Sequence, residues 1–250
     1  MRILFLGTAA AVSTPNRDNT SLLLNDILID CPGNVYGKMK KAGYDPLRLK
    51  AIVITHGHVD HIYGLPSLIE MIRLSGRKEP LKIYVGQDFV EMAKSSLAMH
   101  GLLHQERGFE IELIAVSYQQ QLLFNNDEIS VEVFPVKHSV PNIGLKVSSF
   151  DSKVIYTSDT EPCDELVDLF KDVNLLIHES SCSYLLSKRL EGHTCAEDAA
   201  RIAQLSGAKA LCLVHLGVEI DGNESRLIEE LRRYYLGEIL IPKDLDRVVI

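Results

Sequence analysis

The sequence predicts an α/β protein in which sheets pack together beneath outer helices. Two features predict it. Many short apolar runs have strand length, and helical-period segments are spread along the chain rather than gathered in one block. A length of 250 residues suits one large domain or two fused halves. With no long linker, low-complexity tract or repeat, the chain reads as one domain over 1–250.

In order, the strands are expected at 2–6, 20–24 and 27–30, followed by a helix near 34–42. A buried strand over 50–55 leads into the histidine-rich stretch "THGHVDH" (55–61), and a helix follows at 66–74. A strand at 81–86 precedes a helix over 87–102. Strands are then expected at 109–116, 121–124, 129–136, 143–150 and 153–157. The second half alternates, with a helix near 163–170, a strand at 174–178, a helix at 195–206 and a strand at 209–214. A helix at 223–235 and a last strand pair near 237–249 end the chain.

Composition excludes several classes. Hydrophobic residues make up 46% and charged residues 24%, enough for a sizeable core and ordinary for a soluble protein. A net charge of −8 argues against a general basic surface for long nucleic acid. The opening "MRILFLGTAAAVSTP" superficially looks like a signal peptide, but "ILFL" is shorter than the ~7–15 residues of an apolar signal core. A strand and a glycine turn fit it better. No run approaches the ~18 apolar residues of a membrane span. The five cysteines are odd in number and form no CxxC pair. The expectation is therefore no disulfide framework and a cytoplasmic setting.

The chemistry is concentrated at 55–61. His56 and His58 are two apart on a loop and can turn to one metal ion. Asp60 and His61 can reach a second. Histidine nitrogen and carboxylate oxygen are ordinary zinc ligands, but one loop cannot complete two sites. Further donors stand where strands emerge from apolar runs: His138 after "ISVEVFPVK", Asp159 after "KVIYTS" and His215 at the end of "ALCLVH". Taken alone, each has an ordinary reading, such as Asp159 capping a helix. His100 and His104, four apart on an expected helix, could share a face near the mouth of the site, though a solvated pair is the plainer reading. Arg17 and Lys137 could meet a phosphate or be plain surface charge. Cys182 and Cys195 read as small buried residues rather than ligands.

With HxHxDH at 56–61 followed by His138, Asp159 and His215 in that order, the chain resembles the metallo-β-lactamase superfamily. The resemblance covers nearly the whole chain. It implies a four-layer αββα sandwich holding two divalent ions, with zinc first and manganese or iron as alternatives. It further implies that His56, His58 and His138 hold one ion, that Asp60, His61 and His215 hold the other, and that Asp159 bridges them. Two such ions can activate a water and stabilise a displacement at phosphorus, and can equally polarise a carbonyl.

Other stretches narrow the choice. "FLGTAAAVSTPNRDN" resembles the opening of ribonuclease Z, a tRNA 3′-processing endonuclease. "HESS" at 178–181 and "HT" at 193–194 resemble that family's HEAT and HST signatures. Glu179 and His193 fall on those signatures: His193 is expected to protonate the leaving oxygen or to be a surface residue beside a helix cap, Glu179 to orient it or to be a strand-end carboxylate with no catalytic part, and Asp60 to help orient and deprotonate the attacking water. Thr194 and Glu197 also fit a capping box, which would start a helix at Thr194 and place His193 at its positive end, where a phosphate is favoured. Between His138 and Asp159 only residues 139–158 intervene, so the family's inserted tRNA-gripping arm is missing. The implied function is a phosphodiesterase, first a ribonuclease Z-like nuclease by resemblance and second an enzyme for small or cyclic diesters given the missing arm. A lactonase or thioesterase would use the same metals. A metal-bound regulatory module is the alternative without catalysis. The implied partners are a phosphodiester substrate, a tRNA 3′ end included, and a second copy of the chain in a homodimer, with no membrane.

Overall fold

The computed structural model describes residues 1–104 and 108–250. Among the described residues, fourteen strands form two seven-stranded sheets. The first sheet contains β1 (Arg2–Gly7), β2 (Ser21–Leu24), β3 (Ile27–Ile29), β4 (Ala51–Ile54), β5 (Leu81–Gly86), β6 (Ile111–Val116) and, beside β1, β14 (Arg247–Val249). The second contains β7 (Gln121–Asn125), β8 (Ser130–Val136), β9 (Asn142–Ser148), β10 (Lys153–Tyr156), β11 (Leu175–Ser180), β12 (Ala210–Leu216) and β13 (Glu238–Leu240). Helices α1 (Val35–Lys41), α2 (Val59–Ile62), α3 (Leu65–Leu74) and α4 (Val90–Met99) follow first-sheet strands. Helices α5 (Ala196–Ser206) and α6 (Glu224–Leu231) follow second-sheet strands.

Alternation along the strands builds the layers. In β1, Ile3 and Phe5 face the core between the sheets, while Leu4 and Leu6 face the helical layer. Every residue of β4 is buried, as expected for a strand covered on both faces. Its Ala51 and Val53 point inward, and its Ile52 and Ile54 pack against residues of α1, α3 and α4. On the second sheet, Ile155, Leu176, Leu211 and Leu213 are covered by Ala199, Ala203, Leu227 and Leu231 of α5 and α6. The result is the four-layer αββα sandwich.

Topology places the site. Strands β3, β4 and β5 run parallel in one sheet, and β10, β11 and β12 run parallel in the other. Ligands collect beyond the carboxyl ends of such strands, and this is where the metal-grade side chains emerge.

Three expectations about elements are corrected. No helix forms near 163–170, where only a short 3₁₀ turn covers Asp164–Leu166. Phe170 and Val173 are drawn into the outer core, and turns are enough to bring them there. The last two strands do not pair with each other. β13 adds to β12, and β14 crosses to the other sheet to pair with β1. The helix over 87–102 is shorter than expected, with a 3₁₀ turn at Gln87–Phe89 before α4.

Arg17 is not surface charge. It is 2% exposed, donates to Thr8 Oγ1 (2.7 Å) and the Pro242 carbonyl (2.5 Å), and pairs with Asp221 and Glu224. It thereby ties the segment after β1 to the C-terminal region. Breaking a buried pair by removing one partner leaves uncompensated charge. Arg17→Ala is expected to cost about 3 kcal/mol of stability, read as a lower urea midpoint; an unchanged midpoint would show that the tie carries no stability.

Candidate metal centre

The HxHxDH loop takes its shape from its neighbours. Strand β4 ends at Ile54, and the chain turns through Thr55, His56 and Gly57 before α2 begins. A Cβ on Gly57 would lie 2.2 Å from the Phe89 ring, so only glycine lets the loop lie this close to the 3₁₀ turn. Asp60 sits in the first turn of α2, with His61 one residue on.

Three other site residues adopt a left-handed backbone: Asp30 (φ 59°), Ser158 (φ 56°) and His215 (φ 52°). Such positions cost roughly 1–3 kcal/mol each and gather at functional sites. For His215 the local cause is a β-bulge. Glu179 pairs with Val214 and Ser180 with Leu216, so His215 is the extra residue in β12.

Together the elements gather two groups of donors. His56, His58, His138 and Asp159 form one, and Asp60, His61 and His215 form the other. Within each group the ligand atoms all lie within 4.8 Å of one another. Asp159 Oδ2 stands 3.8 Å from His56 Nε2, 3.9 Å from His138 Nε2, 3.4 Å from His61 Nε2 and 3.2 Å from His215 Nε2, between the two sets.

The outward nitrogens are held by partners. His61 Nδ1 donates to Asp30 (2.8 Å), His138 Nδ1 to the Gly192 carbonyl (2.8 Å) and His215 Nδ1 to Ser181 Oγ (2.8 Å). That leaves each Nε2 with a lone pair aimed inward. His61 Nε2, His215 Nε2 and Asp159 Oδ1 are buried without a hydrogen-bond partner among the described residues. Orphaned buried polar atoms of this kind call for an occupant. The nitrogen and oxygen donor set suits metal ions, and the residues fit the expected centre.

Electrostatics agree. Burial alone would raise the Asp159 carboxyl, but His215, His61 and His56 around it hold it well below the usual range. Burial holds His56 well below its ordinary value, in the neutral form that donates a lone pair.

Beside this cluster stands a second constellation. Glu179, fully buried, accepts from the Thr160 and Ser181 amides, from Ser181 Oγ (2.8 Å) and from His193 Nδ1 (2.8 Å). Burial pushes the His193 imidazole down, yet the hydrogen bond and charge of Glu179 outweigh that and hold it above the usual value. His193 also lies within 4.8 Å of the donor atoms of Asp159 and His215.

The capping box is not formed. Thr194 Oγ1 donates to the Thr160 carbonyl, and the Glu197 carboxylate accepts from Ser183 Oγ and the amides of Tyr184 and Leu185. Cys195, without a side-chain cap, precedes α5. Tertiary partners took both side chains, and they pin the loop that carries His193.

Cys182 and Cys195 are buried, as expected, but are joined in a disulfide, which corrects the expectation of none. They are thirteen positions apart, yet the start of α5 lies alongside the end of β11, and the Ala196 amide donates to the Cys182 carbonyl. Lys137 is exposed and paired with Glu161 (2.6 Å). His100 helps line a groove of about 500 Å³ with Tyr63, outside the metal cluster, and His104 lies beyond the end of α4. Sequence reasoning missed Asp30 and Ser181. Asp30 follows the apolar run 27–29 by the same pattern that singled out Asp159.

A model of the family described as anti-Pycsar protein Apyc1 matches residues 1–226. The chain is 28% identical over 303 residues to Ribonuclease Z of Pyrococcus abyssi, covering all of this chain and 96% of that protein. That alignment is longer than the 250 residues here, so the relative carries inserted sequence that this chain does not. Human tRNase Z, short form, superposes with a TM-score of 0.81 at 26% identity, covering 100% and 99% of the two chains. The metallo-β-lactamase fold protein YhfI of Bacillus subtilis does so at 0.81 and 23% identity, covering 99% and 98%.

Proposed function

Because this chain belongs to the family of the anti-Pycsar protein Apyc1, and is a metal-dependent hydrolase of the metallo-β-lactamase fold, we propose that it hydrolyses phosphodiesters of small, nucleotide-sized molecules. In this reading the chain is one domain in which His56, His58 and His138 would hold one ion, Asp60, His61 and His215 would hold a second, and Asp159 would be shared between them. Zinc is the first choice for a histidine-rich set, with manganese or iron as alternatives. When bound, the ions supply an activated water and offset charge on the phosphoryl oxygens.

The remaining steps belong to side chains. Asp60, the most open carboxylate of the cluster at 14% exposed, orients the attacking water and takes its proton. The water oxygen bonds to phosphorus as the ester oxygen leaves. His193 gives that oxygen a proton from Nε2, while Glu179 keeps hold of Nδ1. The observation that carries this reading is the Glu179–His193 pair, 2.8 Å apart, beside the metal cluster. An alkoxide leaving phosphorus needs a proton donor there. A lactonase or thioesterase would instead need an oxyanion donor.

Size favours a small substrate. A cavity of about 200 Å³ opens on His193 and His215, walled by Val12, Leu190 and Val218. The hairpin of β9 and β10 fills the whole connection from His138 to Asp159, where a tRNA-gripping arm would be inserted. A second reading, cleavage at a tRNA 3′ end, is favoured by the full-length relatives named Ribonuclease Z. A cytoplasmic setting and a homodimer belong to this reading as proposals. No helix among the described residues is long and apolar enough to cross a membrane, and the disulfide is buried away from solvent thiols.

The test is to load the protein with zinc or manganese and offer bis(p-nitrophenyl) phosphate, 3′,5′-cyclic AMP and a 3′-extended precursor tRNA. Hydrolysis of the small diesters with intact tRNA is expected. Cleavage of the tRNA would move the substrate to the second reading, and no turnover of any of the three would sink the phosphodiesterase.

A further inference from the structure

Ser181 stands where two parts of the site meet. Its hydroxyl lies 2.8 Å from His215 Nδ1, 2.8 Å from Glu179 Oε2 and 3.1 Å from His193 Nδ1. The residue is 2% exposed, so water does not compete for these contacts. A hydroxyl has one proton to give and two lone pairs. That inventory decides who donates to whom.

His215 Nε2 faces the metal cluster and is orphaned, so in a metal-ligating imidazole the proton sits on Nδ1. Nδ1–H therefore donates to Ser181 Oγ, and the hydroxyl cannot donate back. His193 Nδ1–H is already committed to Glu179 Oε1 at 2.8 Å. Two acceptors are left for the Ser181 proton, Glu179 Oε2 at 2.8 Å and the His215 carbonyl at 3.4 Å, and the shorter contact to the charged carboxylate takes it. The path is then His215 Nδ1–H to Ser181 O–H to Glu179, with the other Glu179 oxygen gripping His193. If the His215 proton moved to Nε2, the bare Nδ1 would compete for the Ser181 proton. Glu179 Oε2 would then keep only the Ser181 amide, 3.1 Å away.

We propose that Ser181 is a positioning residue that couples metal binding at His215 to the orientation of the Glu179–His193 pair. A ligand that fixes His215 with its proton on Nδ1 also points the Ser181 hydroxyl at Glu179, and so sets the carboxylate that aims His193. The backbone reinforces the link. A Cβ on Gly217 would lie 2.4 Å from the Ser181 carbonyl, so β11 and the turn after β12 are closely apposed here. The Cys182–Cys195 bridge joins the residue after Ser181 to the segment two residues after His193. The catalytic half of this inference rests on the phosphodiesterase reading. The metal half does not.

The test compares wild type, Ser181→Ala and Ser181→Thr. Zinc affinity is measured by competition with a fluorescent chelator, and turnover of 3′,5′-cyclic AMP and bis(p-nitrophenyl) phosphate is measured at saturating zinc. Ser181→Ala is expected to weaken zinc binding about 10–100-fold, the usual effect of losing a partner behind a metal-binding histidine. At saturating zinc it should slow the alkoxide-leaving cyclic nucleotide far more than the nitrophenyl ester. Ser181→Thr, which keeps the hydroxyl, should restore both. Unchanged zinc affinity in Ser181→Ala overturns the proposal, as does an equal loss on the two diesters. A wild type inactive on both diesters would sink the phosphodiesterase reading, while the zinc affinities would still decide whether Ser181 supports His215. If the alanine variant does not fold, nitrogen NMR of the zinc-loaded wild type decides: a His215 proton on Nδ1 is required, and one on Nε2 overturns the coupling.

Discussion

His193→Ala should lower turnover of a diester with an alkoxide leaving group by about 10²–10⁴-fold, the usual contribution of a positioned general acid. Bis(p-nitrophenyl) phosphate should lose much less, because nitrophenolate leaves without a proton. This difference is the informative readout. The geometry motivates it: His193 Nδ1 is fixed by Glu179, and the ring lies within 4.8 Å of donor atoms of Asp159 and His215. A group held there can reach an oxygen leaving phosphorus beside the metals. Zinc affinity should be little changed, because the two expected ligand sets are complete without His193. Equal losses on the two diesters would mean that His193 acts on the metals or on substrate binding, and its role as acid would be lost.

The second large effect concerns Asp159. Zinc at a hundred times its dissociation constant should stabilise the wild type by about 2.7 kcal/mol. For a chain of this length that corresponds to a melting temperature roughly 5–10 °C higher. Asp159→Asn should abolish that shift and the hydrolytic activity with it. The amide keeps the shape but carries no negative charge, so it cannot bridge two cations. The backbone should hold, because the Asp159 carbonyl accepts from Asn142 Nδ2 (2.8 Å), a bond the substitution leaves intact. Differential scanning calorimetry with and without zinc reads the result. A full zinc-dependent shift in Asp159→Asn would show that Asp159 is not the bridge.

By itself the sequence determined the layered α/β class, most strands to within a residue or two and which histidines and aspartates the fold gathers into one cluster. Strand signals are local, because period-two burial writes itself into runs such as "AIVI". Candidate metal donors are legible for a related reason. A histidine or carboxylate within three residues of the end of an apolar run stands where a strand leaves the core, and His138, Asp159 and His215 all stand that way in one order along the chain. The Glu179–His193 pair was legible only through resemblance, since the two are fourteen positions apart.

Tertiary structure alone decided the rest. Thr194 and Glu197 carried a valid capping signal, but closer partners at Thr160 and in the 183–185 loop outcompeted it. The last two strands looked like a hairpin and were instead claimed by opposite sheets, each by the edge that needed a partner. Arg17 read as surface charge and is buried, because its ion partners lie more than 200 residues away. Cys182 and Cys195 gave no spacing signal, and only the apposition of β11 and α5 joins them. Local propensity is fixed by neighbours in the chain. A hydrogen bond, an ion pair or a bridge is fixed by whichever partner the fold brings within 3 Å, and for these residues that partner is far away in sequence.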